Sequence, residues 1–372
     1  MFQKYRVHIL VAAALTGIVL RFVAAMHGHN YDFESYLLVA DIAEAGRNVY
    51  TETSRYNYGP AWFLILLLLR HLSYLFSDPA VAFRLLVVVV LTAADLAIMF
   101  YLLRHFGARA AVLFILNPVS ILITGYHSQF DNLAIAIGLW AMAVYASGRA
   151  SLDRKVMTAG LALLGLSLVV KHVLILLPVW LAIREDTFVR KGAALAVPVL
   201  ILIISFLPFM DAWWDIRANV ILYDSAENAP LLLYGLPPFL SFIPLRLWMF
   251  GGILLAGFAV KKRPLKEYVL LYSVVLVVFS MSVINHHLAV PMAAVAVWPN
   301  IFYVVYTILT TWMLSLDKLG LGIEALINIS PPQLLFRHYG AMIFAVPVFI
   351  LFLGLLKQVA SWRKLTRREL PG

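Results

Sequence analysis

Residues 80–103 read AVAFRLLVVVVLTAADLAIMFYLL, and this stretch decides the fold. It carries neither Gly nor Pro and is almost wholly apolar. A helix of that length rises about 36 Å at ~1.5 Å per residue, enough to cross a hydrocarbon core of ~30 Å. Further apolar runs lie at 7–26, 60–77, 110–125, 132–148, 156–170, 172–183, 188–209, 236–260, 268–284, 288–315 and 339–356. Lipid offers no partner for a backbone N–H or C=O, so each run is expected to be helical. No Gly/Ser-rich linker and no internal repeat divides the 372 residues, which read as a single integral membrane domain. The expectation is an all-α polytopic bundle of about 11–12 transmembrane helices.

Composition agrees. The chain is 63% hydrophobic and 13% charged, with a mean hydropathy of +0.90. A soluble domain of this length has too little volume to hide so much apolar surface. There is no cysteine, which excludes disulfides, thiolate nucleophiles and cysteine-ligated metals. The net charge of +10 suits cytoplasmic anchoring better than nucleic-acid binding. The N-terminal run to Met26 lacks a small-residue cleavage site and reads as an uncleaved first span rather than a signal peptide.

Lys and Arg set the orientation. With the N-terminus cytoplasmic, residues 60–77 are taken as an apolar helix that does not cross, lying in a long external loop, 27–79. Residues 288–315 are taken to enter and turn back at Pro299-Asn300. The clusters Lys4/Arg6, Arg104/Arg109, Arg149/Arg154/Lys155, Arg184/Arg190/Lys191, Lys261/Lys262/Arg263/Lys266 and Lys357/Arg363/Lys364/Arg367/Arg368 then all fall inside, 19 of the 29 basic residues. Both termini are cytoplasmic in this arrangement. The cost is that 156–170, 172–183 and the halves of 288–315 must be short helices, tolerable where protein surrounds them.

Four polar groups then fall on the external side: Tyr31-Asp32-Phe33-Glu34, Gly125-Tyr126-His127-Ser128-Gln129-Phe130-Asp131-Asn132, Lys171-His172 and Asn285-His286-His287. An ionisable group at membrane depth costs at least ~2.5–3.5 kcal/mol, so such groups mark sites by default. Carboxylates, a carboxamide, a lysine and histidines on one face suggest acid–base chemistry beside an anion. Each has a plainer reading. Asp32 and Glu34 could be solvated loop charges, or an extended pair that converges on one ligand before a helix near 35–46. Asp131 could be a helix cap. Lys171 could snorkel to the surface. His286 and His287 could be interfacial and uncharged. Asp95 reads as a helix-packing contact. Asp32, Glu34 and Asp131 are hard oxygen ligands compatible with a divalent cation (Mg or Mn), although no tight ligand motif asks for one.

Taken in order, these elements resemble the GT-C superfamily of glycosyltransferases that use lipid-phosphate sugars. They look most like the dolichyl-phosphate-glucose glucosyltransferases of lipid-linked oligosaccharide assembly. Asp32-Phe33-Glu34 matches the Asp-Phe-Glu that opens that family's first luminal loop. Tyr56-Asn57-Tyr58-Gly59-Pro60-Ala61 stands at its aromatic–proline turn, and Ala94-Asp95 at an Ala-Asp pair within a span. Asn117-Pro118 and His127-Ser128-Gln129-Phe130-Asp131-Asn132 follow, then Lys171-His172 and Asn285-His286-His287-Leu288. Asp131-Asn132 also resembles the Tyr-Asp-Asn element of oligosaccharyltransferase catalytic subunits. The likeness covers roughly residues 1–300. The chain departs from the pattern in its single proline after Gly59, in His where the late element has Glu-Lys, and in a short C-terminal third.

The resemblance implies a GT-C-like core over 1–235, with interfacial helices in the 27–79 loop and variable transmembrane helices over 236–372. It implies an inverting transfer of a monosaccharide, a hexose, from a polyprenyl-phosphate donor to a lipid-linked glycan or other acceptor at the periplasmic or luminal face. Asp32 would be the base and Glu34 its back-up. Lys171, His286, His287 and Arg337 would hold the phosphate. Tyr58, His127, Gln129, Asp131 and His172 would line the substrate pocket. Trp213, Trp214 and Tyr223 could stack on sugars or form an interfacial belt. The membrane would be a prokaryotic inner membrane. Two other readings remain: a transporter or lipid flippase, for which no inverted repeat is visible, and a membrane acyltransferase, which lacks a cytoplasmic His-Asp pair.

Overall fold

Helix α1, Phe2–Met26, is the first of a series whose termini follow local capping chemistry. The computed structural model describes residues 2–223, 244–315, 321 and 343–368, and among these it is helical with no strand. Asn30 caps α2 (Tyr31–Glu44) by accepting the Asp32 N–H, and Asn48 caps the single turn α3 (Val49–Glu52) in the same way. Pro60 starts α4 (Pro60–Ser73), and Asp78 caps the long α5 (Pro79–Phe106). The chain continues through α6 (Ala108–Ile115), α7 (Pro118–Gly125), α8 (Asp131–Ser151), α9 (Arg154–Val170) and α10 (Leu177–Arg184). Then come α11 (Phe188–Ser205), α12 (Trp213–Ile216), α13 (Leu245–Val260), α14 (Tyr268–Phe279), α15 (Met292–Val297), α16 (Ile301–Ser315) and α17 (Ala345–Arg368).

Five helices are long and apolar enough to cross a membrane alone, beginning at Val7, Pro79, Asp131, Phe188 and Ala345. A sixth passage is bent. The run 110–125, expected as one helix, breaks at Asn117-Pro118 into α6 and α7, inclined by 48°. Pro118 cannot donate to the turn before it, and Asn117 caps the new helix by accepting the Val119 N–H at 2.9 Å. The other apolar runs form shorter helices, among them α9, α10, α15 and α16, so among the described residues five or six passages have the length to cross alone where about 11–12 were expected. Of residues 60–77, Pro60–Ser73 form α4, which packs beside α2 and against α5 and α9, with Arg70 paired to Asp41 at 2.9 Å.

The two ends of the bundle differ chemically. At one end Tyr101 donates to the Lys266 carbonyl at 2.9 Å, Arg184 donates to the Lys261 carbonyl at 3.1 Å, and Arg149 pairs with Glu185 at 3.1 Å. Trp298 stacks edge-on against Trp362 there. The basic clusters from 104 to 266 therefore share this end, and so does the turn at Pro299-Asn300. The opposite end carries the four polar groups.

Deep in the bundle one charge network joins five helices. Arg21 and Asp95 pair at 2.7 Å with side chains 0% and 1% exposed. Arg21 Nη1 also donates to the Ile115 carbonyl at 3.0 Å and Nη2 to Ser120 at 2.6 Å. Thr124 and Asn132 donate to Asp95 at 2.7 and 2.9 Å. The carbonyl freed by the α6–α7 break is thus satisfied by an arginine that would otherwise stand charged in lipid. Asp95 is the packing residue expected.

Candidate active site

Between α7 and α8 the backbone of residues 126–130 is irregular, yet every residue from 125 to 132 is buried. Its amides return to the end of α7: Tyr126 and His127 N–H both donate to the Leu122 carbonyl at 3.0 Å, and Gln129 N–H to Ile123 at 3.0 Å. Ser128 takes the left-handed conformation, φ 52°, a strained choice for a residue with a Cβ. Gly125 is needed because a Cβ there would overlap the Arg21 carbonyl of α1. The loop 53–59 is built in a comparable way. Tyr56 donates to the Gly59 carbonyl at 2.6 Å and accepts the Phe63 N–H at 3.1 Å, while Tyr50 donates to the Tyr58 carbonyl at 3.0 Å. A Cβ on Gly59 would run into the Val169 carbonyl, so this loop sits directly on the end of α9. Trp62 stacks on Phe130 at 4.3 Å and locks the two loops together.

Between them lies a compact polar centre. Asp32 is half-buried in the first turn of α2. Its Oδ2 accepts from Gln129 Nε2 and from Asn30 Nδ2, the latter at 3.1 Å. Asn30 also approaches His127 Nδ1 at 3.4 Å, and His127 Nε2 lies 3.1 Å from the Leu314 carbonyl. Two residues beyond Gln129, Asp131 accepts from Lys171 Nζ at 2.7 Å. That ammonium sits 4.6 Å from the Phe130 ring centre and 5.0 Å from that of Tyr58. The His172 ring lies 6.4 Å from Tyr58. Burial pushes the Tyr58 hydroxyl well above its usual pKa, and the nearby charges of Asp32 and Asp131 push it further. His286 and His287 meet edge to face at 4.5 Å. Burial pushes His287 down to about 4, with the Asp131 and Lys171 charges both acting on it, and holds His286 well below its usual value. Both imidazoles are neutral at pH 7 and can act as N–H donors, not as cations.

Several expectations change here. The helix expected near 35–46 begins at Tyr31, so Asp32 and Glu34 lie on different faces of its first turn rather than side by side on extended chain. Glu34 is exposed and does not join the centre. Asp131 is not a cap: α8 has Phe130 at that position, with no side-chain cap bond. Lys171 does not snorkel; it is buried and paired. Arg337 lies outside the described residues. Trp214 is exposed, and Tyr223 is close enough to Tyr58 for its charge to act on that hydroxyl. Among the described residues no three His, Asp or Glu side chains gather as a metal would need. Asp131 is paired with Lys171 and Glu34 is exposed on another face of α2 from Asp32.

Two arginines escaped the sequence reading. Arg84, in the second turn of α5, lies 5.8 Å from the Phe33 ring, next in sequence to Asp32. Its Nε and Nη2 are buried without a hydrogen-bond partner. Arg55 covers the Tyr31 ring at 4.0 Å, and its Nε is likewise unpaired. The signal was present for Arg84: a cation in an apolar run with no acidic residue three or four positions away.

No family model matches the chain, and no curated protein matches its sequence. Two solved structures match its fold. ArnT from Cupriavidus metallidurans bound to undecaprenyl phosphate superposes with a TM-score of 0.52 at 16% identity, over 94% of this chain and 75% of that one. The apo state of ArnT from Cupriavidus metallidurans gives 0.53 at 16% identity, over 95% and 76%. The likeness extends along nearly the whole chain, and the architecture is that of the GT-C fold.

Proposed function

We propose that this membrane protein is an inverting glycosyltransferase that takes a monosaccharide from a polyprenyl-phosphate donor. The observation that carries the reading is the centre itself. A half-exposed carboxylate, Asp32, is oriented by two amide donors, while unpaired or shared cations and neutral imidazoles stand around it. The fold shared with ArnT, which was solved with undecaprenyl phosphate, supports the same reading.

Asp32 is the base. The acceptor hydroxyl oxygen attacks the anomeric carbon from the face opposite the phosphate, the carbon–phosphate-oxygen bond breaks, Asp32 takes the hydroxyl proton, and polyprenyl phosphate leaves. Gln129 and Asn30 hold the carboxylate so that a free lone pair faces the acceptor. Arg84, with Nε and Nη2 unpaired, and Arg55, with Nε unpaired, receive the lipid-borne phosphate. Lys171 and the His286–His287 pair stabilise the charge that grows on it. Tyr58 and His172 line the sugar side. The basic end of the bundle is cytoplasmic by the Lys/Arg rule, which puts the centre at the external face and both termini inside. Hexose as the transferred group, and a lipid-linked glycan as acceptor, follow from the motif resemblance alone. A dolichyl carrier specifically has no support in the structure.

The test is direct. Purified protein is given a panel of short-chain polyprenyl-phosphate sugars and candidate acceptors, and release of polyprenyl phosphate is followed. Asp32→Asn is expected to cut turnover by about 10²–10⁴-fold while donor binding and thermal midpoint are kept. Turnover at the parent rate in Asp32→Asn would refute the assignment.

A further inference from the structure

We propose that the groove at the basic end of the bundle, between α8, α10 and α11, binds the phosphodiester headgroup of an anionic phospholipid from the adjoining leaflet. The groove has a volume of about 470 Å³ and is lined by Arg149, Arg184 and Arg190 together with Leu152 and Leu265. It lies at the far end of the bundle from Asp32 and takes no part in the chemistry above.

The charge balance favours an anion. Arg149 is held by Glu185 at 3.1 Å and by Asp186 at 3.4 Å. Arg190 reaches Glu185 only at 3.9 Å. Arg184 lies on the carbonyls of Lys261 and Arg263, and among the described residues no carboxylate pairs with it. Its Nε makes no hydrogen bond. Glu185 and Asp186 therefore leave one of the three guanidinium charges uncompensated in a concave site. A headgroup phosphate supplies a counter-ion with the oxygen geometry a guanidinium prefers.

The rim favours a lipid over a soluble anion. Phe188 and Val189 begin α11 beside Arg190 and are 91% and 81% exposed; Leu152, at the mouth of the groove, is 71% exposed. Apolar side chains this bare, next to arginines and at the entry of a membrane-crossing helix, place acyl chain and headgroup where a phospholipid has them. The basic clusters gathered at this end put it at the anionic cytoplasmic surface.

Native mass spectrometry of the detergent-purified full chain, titrated with phosphatidylglycerol or phosphatidylcholine of the same acyl chains, tests this. Phosphatidylglycerol is expected to bind at least about fivefold more tightly. Arg190→Gln removes the arginine held only by Glu185 at 3.9 Å, and Leu152→Glu adds a carboxylate at the mouth without touching a buried contact. Each is expected to bring phosphatidylglycerol down to the phosphatidylcholine level, with an unchanged thermal midpoint showing that the fold persists. Parent-like preference for phosphatidylglycerol in both variants overturns the proposal. Complete displacement of the lipid by millimolar inorganic phosphate also overturns it, because the groove would then be a site for a soluble anion.

Discussion

Lys171 and Arg84 are both cations in apolar sequence, and the fold treats them differently. Lys171 has a carboxylate at 2.7 Å and two aromatic rings around it. Removing it alone strands Asp131 as a buried charge, so Lys171→Met is expected to cost about 3–5 kcal/mol. Lys171→Met with Asp131→Asn is expected to recover most of that loss, read as a thermal midpoint, while donor turnover stays low. Arg84 has no carboxylate partner among the described residues, and its Nε and Nη2 are unpaired. Arg84→Ala is therefore expected to leave the midpoint unchanged and raise the donor KM about tenfold, the worth of a lost charge-assisted hydrogen bond. An unchanged KM would remove Arg84 from the phosphate site. The rule that singled out Lys171 in the sequence applies equally to Arg84 and Arg21. What sequence could not supply was the sorting of the three: Arg21 has its acid 74 positions away, Lys171 has its own 40 positions away, and Arg84 has none among the described residues.

The elements owe their arrangement to a few close approaches and to buried pairs, of which Arg21–Asp95 is the deeper. The broken passage α6–α7 is held by Arg21, which bridges the freed Ile115 carbonyl and Asp95. Asp95→Leu leaves that guanidinium uncompensated and is expected to destabilise by about 3–5 kcal/mol. Adding Arg21→Met is expected to return part of the loss, because two apolar groups replace a half-broken pair. A double variant no more stable than Asp95→Leu in a denaturation series would contradict this account. Gly59 works at the same scale. Its backbone touches the end of α9, so Gly59→Ala pushes the Tyr58 loop off Val169 and should lower both stability and turnover. Asn117-Pro118 was visible as a motif, but an X-Pro pair inside an apolar run reads equally as a kink or as a stop. The choice depended on a partner for the Ile115 carbonyl, and that partner comes from another helix.

At the scale of the whole molecule, the two ends make opposite predictions about access. The chain has no cysteine, so single substitutions report cleanly. Glu34→Cys, exposed near the active centre, is expected to react with a membrane-impermeant maleimide on intact cells. Asp186→Cys, exposed at the basic end, is expected to react only after permeabilisation. The reverse pattern would invert the topology. The buried histidines add a pH dependence. His287 titrates near 4 in the folded chain and near 6.5 when unfolded, so between those values the unfolded state binds the extra proton. Stability is expected to be full above about pH 6.5 and to fall as the pH drops toward 4. His287→Gln should flatten that slope in a series of thermal midpoints. By itself the sequence determined that the chain is a helical membrane bundle, which end gathers its lysines and arginines, and which polar residues lie near the other end. These follow from hydrocarbon thickness and from the cost of moving charge across it, and both act on consecutive residues. Only the tertiary structure decided that Asp32 belongs with Gln129 and not with Glu34, that Asp131 answers Lys171, and that Arg21 mends the break before Asn117. A buried charge or freed carbonyl takes whatever partner three-dimensional packing brings within about 3 Å, and sequence separation carries almost no information about that distance.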